Sequence, residues 1–264
     1  MKRFIVLMVL MGLTAPLSAQ DFAKERLNKS PRHHEWVVVK NGTRDVHCFV
    51  VYPEVKNNAT AVLVIHENKG LTDWVRSVAD QLAEAGYVAI APDALSGLGP
   101  KGGKTSDFPS VDDATKALGQ LPPAQVTGDL NAAADYVLKL PSVNGKLVVA
   151  GFCWGGGQTF RFATNRPDIK AACVFYGPPQ DKAALAKIHC PVYGFYGEND
   201  ARINSTIPKT TELMKELGKT YEPVIYAGAG HGFMRAGEEP GGTAANRKAR
   251  NDAWDRLKTL LKKV

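Results

Sequence analysis

The sequence predicts an α/β fold, a mostly parallel sheet with helices on both faces. Three observations predict it. Short apolar runs of strand length recur at residues 61–65, 146–150, 171–176 and 192–196, as expected of strands buried on both faces. Longer segments of helical character separate them, the alternation that joins parallel strands by right-handed crossovers. An Asn41-Gly42 turn sits between two early strands and gives one antiparallel hairpin.

The elements follow in order. Residues 1–19 carry Lys2 and Arg3, an apolar run from Phe4 to Leu13, and a small-residue exit at Ser18-Ala19. That is the layout of a secretory signal peptide, with cleavage expected after Ala19. The apolar run is about half of the roughly 20 residues a membrane span needs. A periplasmic or secreted protein is expected, with residues 20–264 as one domain. No second long apolar run follows, so no membrane partner is expected. Residues 36–40 and 47–52 read as the hairpin strands. Then come strand 61–65, helix 72–85 ending at Gly86, strand 87–91, helix 126–140 and strand 146–150. Helix 155–164, strand 171–176, strand 192–196, helix 207–217, strand 222–226 and helix 246–262 complete the chain.

Composition removes several function classes. The chain has 264 residues, 44% hydrophobic and 22% charged, which is ordinary for a globular protein and excludes collagen-like or low-complexity chains. Four cysteines are too few for a disulfide scaffold in a chain this long. Whether Cys48, Cys173 and Cys190 pair is left open by sequence alone. The net charge of +7 raises nucleic acid, an anionic membrane or an acidic substrate as a partner. Removing residues 1–19, which hold Lys2 and Arg3 and no acid, lowers it to +5. The rest is scattered apart from Lys258, Lys262 and Lys263, the solvated face of a terminal helix. No nucleic-acid partner is expected.

The chemistry is read at strand ends, where ligands bind in open parallel sheets. Gly151-Phe152-Cys153-Trp154-Gly155 follows strand 146–150 and opens a helix. This is the G-x-nucleophile-x-G elbow with cysteine in the central place. The turn lifts the sulfur above the sheet, near a helix N-terminus that favours thiolate. Partners should follow as acid and then histidine. Gly197-Glu198-Asn199-Asp200 comes after strand 192–196, and Gly230-His231-Gly232 after strand 222–226. Asp200 is preferred over its rival Glu198 because it lies nearer the loop apex. In this reading Cys153 attacks an acyl carbon, His231 moves the proton, and Asp200 orients the imidazole. The oxyanion hole would use backbone N–H groups of Trp154 and of Asn68, on the loop after strand 61–65. Asn68→Ala should therefore leave much of the activity intact. His33-His34 lacks further ligands at metal spacing and reads as surface; no metal site is expected. His66 is read equally as lining the pocket or packing at its strand end.

The elbow G-F-C-W-G-G-G, the segments H-E-N-K-G-L and G-E-N-D, and the loop G-H-G-F-M-R together resemble the dienelactone hydrolase (carboxymethylenebutenolidase) family of the α/β-hydrolase fold. The resemblance implies cofactor-free hydrolysis of enol-lactones by a Cys–His–Asp triad, and makes a monomer the simplest expectation. It implies that Glu67 holds the resting thiol and that Arg235 binds the substrate carboxylate. A second family arginine follows the Pro-Asp turn, but this chain reads Pro92-Asp93-Ala94-Leu95-Ser96-Gly97. The departure puts the small dienelactone substrate in question. Residues 96–110 read as a mobile loop at the site entrance, where Lys101 or Lys104 could supply the missing charge. The expected function is an exported hydrolase of a small-molecule lactone or activated ester. Its alternatives are a catalytically silent ligand-binding protein on the same fold, or a thiol redox role for Cys153.

Overall fold

The computed structural model describes residues 21–264. The expected signal peptide at 1–19 lies outside the described residues. Helix α1 (Asp21–Lys29) leads into the hairpin β1 (His34–Asn41) and β2 (Arg44–Val51). Then come β3 (Ala59–Ile65), α2 (Asp73–Glu84), β4 (Val88–Pro92), α3 (Val111–Gly119) and α4 (Pro123–Leu138). The second half runs β5 (Val143–Phe152), α5 (Trp154–Asn165), β6 (Ala171–Phe175), α6 (Lys182–Leu185), β7 (Val192–Asn199) and α7 (Ala201–Asn204). Helix α8 (Ile207–Glu216), strand β8 (Tyr221–Gly230) and helices α9 (Phe233–Ala236) and α10 (Ala244–Leu261) close the fold.

The eight strands form one sheet in the order β1-β2-β4-β3-β5-β6-β7-β8. The β1–β2 and β2–β4 pairings are antiparallel, and all the others are parallel. Strand alternation splits the core into two layers. Val62, Val64, Val148, Ala150, Phe152 and Phe175 pack on the side of α2 and α10, with Trp74 and Trp254. Leu63, Ile65, Leu147, Val149 and Val174 pack on the other side, with α4 and Phe160 of α5. That is why β3, β4 and β6 are buried at every position, and apolar at all of them but Thr60.

The structure corrects two expectations. Residues 96–110 are fastened rather than loose. Thr105 donates from its N–H and its hydroxyl to the buried Asp93 carboxylate, and Gly99 pairs with Gly103. His34 is not a free surface side chain. Its Nε2 lies 2.8 Å from Asp80 Oδ1, on a buried carboxylate that also takes Ser30 Oγ and the Arg32 guanidinium. That cluster ties the amino-terminal arm to α2. Helix α1 itself was not expected from sequence, nor were α3 and the short α6, α7 and α9.

Candidate active site

Cys153 stands between β5 and α5 with φ 57° and ψ −112°. This is a conformation L-residues rarely adopt, and such strain clusters at functional sites. The flanking glycines are explained by contact. A Cβ on Gly151 would fall 2.2 Å from Gly155 O, and one on Gly155 only 2.3 Å from Ile65 O. Backbone cannot retreat from such contacts, so the elbow presses α5 directly against the exit of β3.

Three predicted residues meet here. His231 Nε2 lies 3.1 Å from Cys153 Sγ, and His231 Nδ1 donates to Asp200 Oδ2 at 2.5 Å. Asp200 is buried, while the His231 side chain keeps 33% exposure on its loop after β8. Asp200 Oδ1 also accepts from Ile203 N–H, so the carboxylate is held from the start of α7. The rival Glu198 instead accepts from Gly228 N–H at 2.7 Å and braces the end of β8. The hydrogen bond to Cys153 first, and then Asp200, push His231 up to about 9 against the opposing effect of burial.

Glu67 and Arg235 also meet, but with each other. Arg235 Nε donates to Glu67 Oε2 at 3.1 Å, and its Nη1 is on Glu239. In this arrangement the thiol is held by His231, and the carboxylate expected to hold it rests on Arg235. Burial pushes the Glu67 carboxyl up, and Arg235, Lys69 and His231 pull it back only in part.

The loop after β3 is braced by His66, whose place the sequence left open. The ring is buried and stacked on Trp154, with centroids 5.2 Å apart. Nδ1 donates to Glu67 O at 2.7 Å, and Nε2 accepts from Ala94 N–H. Burial pushes its pKa down, consistent with a neutral ring accepting at Nε2. Asn68, next along, is exposed, and its N–H makes no hydrogen bond among the described residues; nor does that of Trp154. The Trp154 group is one of the orphan donors of a helix start.

Sequence reasoning missed Tyr176. It follows β6 at φ 42°, fully buried, with its ring edge-on to His231 at 5.0 Å. Its hydroxyl has no hydrogen-bond partner among the described residues. Burial, then the nearby Glu67 and Cys153 charges, push its pKa far up. Its signal in the sequence is its place directly after β6, at the strand ends where sites collect.

Cys153 opens into a cleft of about 280 Å³, whose walls include Trp154, Gln158, Arg161, Tyr176 and Arg202. A larger cavity of about 770 Å³ lies elsewhere, between Trp36, Arg76, Lys104 and Phe108. Lys104 stands over the Trp36 ring there, and Cys153 is not on that wall. Size alone would choose the larger cavity; the elbow cysteine lines the smaller one. No cluster of His, Cys, Asp and Glu able to hold a metal occurs among the described residues.

Comparison with known proteins agrees with the fold and the motifs. Residues 46–264 match the profile described as "Dienelactone hydrolase family". A protein of Saccharolobus solfataricus named "Putative carboxymethylenebutenolidase" is 31% identical over 255 residues, covering 83% of this chain and 94% of its own. A counterpart with the same name from Salmonella typhimurium is 29% identical, over 81% of each chain. A solved structure from Klebsiella pneumoniae, titled as a "Putative Dienelactone Hydrolase", superposes with a TM-score of 0.77 at 24% identity. It covers 88% of this chain and 99% of its own, and it shares the α/β-hydrolase fold.

Proposed function

Because the chain belongs to the dienelactone hydrolase family, whose members hydrolyse lactones and esters, we propose that it cleaves a lactone or activated carboxylic ester through Cys153, His231 and Asp200. One observation carries the reading: the unbroken contact from Sγ through the imidazole to the Asp200 carboxylate, at the carboxyl edge of the sheet.

The steps follow from the geometry. Cys153 attacks the carbonyl carbon as thiolate, the reactive form of the thiol. The carbonyl oxygen takes the negative charge and sits between the unengaged N–H groups of Trp154 and Asn68. The bond from that carbon to the ester oxygen breaks, and His231 gives its Nε2 proton to the departing oxygen. In a lactone the departing oxygen stays tethered to the acyl part. His231 then removes a proton from water, which attacks the thioester carbon. The carbon–sulfur bond breaks, the acid leaves, and the thiolate–imidazolium pair is restored. Asp200 holds the imidazole in the tautomer these transfers need. Glu67 and Arg235 form a second charged pair beside the imidazole. The reaction uses no cofactor in this reading, and it takes place after export and removal of residues 1–19.

Hydrolysis of small aryl esters and enol-lactones by wild type and Cys153→Ala tests the proposal. Turnover should vanish in the variant, and the wild type should accumulate an acylated Cys153 detectable by intact mass. Turnover that survives in Cys153→Ala defeats the reading.

A further inference from the structure

Arg161 and Arg202 both line the cleft that holds Cys153, and both have idle guanidiniums. Among the described residues, neither makes a side-chain hydrogen bond, ion pair or ring contact. Every other arginine among the described residues is engaged, on a carboxylate or a backbone carbonyl. Unused polar atoms lie on the same walls. The Gln158 Oε1 and the Tyr176 hydroxyl are both buried without partners among the described residues. Such groups are rare in folded proteins and call for an explanation.

Helix α5 arranges part of this. Trp154, Gln158 and Arg161 fall on one face at helical spacing, so they run along the cleft away from the sulfur. Eight residues separate Cys153 from Arg161, about 12 Å along the axis, and long helical side chains lean back towards the helix N-terminus. Arg202 comes from a second element, α7, two residues after Asp200.

We propose that Arg161 and Arg202 form the anion subsite of this protein, and that its substrates carry a carboxylate several bonds beyond the scissile carbonyl. Arg235 has two of its three nitrogens on Glu67 and Glu239, so it positions Glu67 instead. The inference rests on Cys153 as the reacting centre. It accounts for the absent arginine after Pro92-Asp93: the substrate acid is read from the α5 and α7 side of the cleft.

The test compares two thiol reagents of equal electrophilicity, N-propylmaleimide and 4-maleimidobutyrate, which differ by one carboxylate. In each, Sγ bonds to one alkene carbon and the other takes a proton from water. The ratio of their rates at Cys153, read by peptide mass spectrometry, is normalised to that of free cysteine. Wild type should favour the acid by about ten-fold or more, the scale of a charge-assisted contact. Arg161→Gln and Arg202→Gln should each remove most of that preference. Lys215→Gln, an exposed site with equal charge loss, should keep it, and added salt should weaken it. Circular dichroism melting of each variant shows that it is folded. No preference in wild type, no change in either variant, or a preference erased by Arg235→Gln alone overturns the inference. Aryl acetate and the matching aryl hemiglutarate are run in parallel. Failure to turn over either ester, with the maleimide preference intact, defeats the hydrolase reading and leaves the anion subsite standing.

Discussion

His231 sets the pH behaviour of the site, because its proton must be present when the ester oxygen leaves. Held up to about 9 by Cys153 and then Asp200, it is protonated below that value. Acylation of an alkyl ester should therefore fall as pH rises through about 9. The same shift stabilises the fold below the ordinary histidine range near 6.5, and that contribution is lost as pH climbs through about 9. Asp200→Asn removes one of the two supports. The falling limb should move to lower pH, and kcat/KM should drop by about 100-fold or more, the usual worth of oriented acid–base catalysis. Pre-steady-state acylation across pH measures both, and an unmoved limb would show that Asp200 does not act through His231. At this scale the sequence was readable wherever a residue is defined by its neighbours along the chain. Cys153, Asp200 and His231 each lie on a turn directly after a strand, and the fold brings those turns together. Arg161 and Gln158 were hidden for the opposite reason. Their meaning depends on which face of α5 borders the cleft and on having no partner, and neither is written locally.

Among the elements, α5 decides whether the site exists. Its first turn lies against the exit of β3, where a Cβ on Gly155 would come 2.3 Å from Ile65 O and 2.5 Å from His66 O. Gly155→Ala should push the helix off the sheet edge and separate Trp154 N–H from the Asn68 loop. Ester turnover should fall more than ten-fold, with a stability loss of about 1–3 kcal/mol, as for other overpacked positions. Normal turnover in this variant would mean the contact is slack. A second element depends on charge. Burial would raise the Asp80 carboxyl, yet hydrogen bonds from Arg32, Ser30 and His34 hold it below its ordinary value. Its contribution is present above about pH 4, where an unfolded carboxylate is ionised, and is lost as pH falls further. Asp80→Asn should loosen α1 from α2 and flatten the acid limb of stability, measurable by urea unfolding between pH 3 and 7. Strands and long helices were legible because the buried stretches of the parallel strands are almost wholly apolar. Helix α1 was not, since only Ala23 and Leu27 of its nine residues are buried. The glycine- and proline-rich stretch at 96–110 misled because its order comes from Asp93, a residue outside it.

At the scale of the molecule, the four cysteines report on the whole sheet. Cys48 lies in β2, Cys173 in β6 and Cys190 just before β7; all are buried, and all four thiols are free. Burial pushes Cys48 far up and raises Cys173 and Cys190 to about 12, so none can react as thiolate while the fold stands. Cys153 alone is partly exposed, packed at the edge of the core layer that faces α2 and α10. A native chain should therefore take up one equivalent of a thiol reagent quickly, at Cys153. The other three should react only through opening of the protein. Cys48 and Cys173 sit on strands near opposite ends of the sheet, and both are fully buried. If the sheet opens as one unit, they should be labelled at one common rate that follows the global unfolding free energy as urea is added. Peptide-resolved labelling over a urea series measures this. Cys48 reacting well ahead of Cys173 would show that the antiparallel β1–β2 hairpin opens by itself, leaving the parallel strands that carry the cysteine elbow as the independent core.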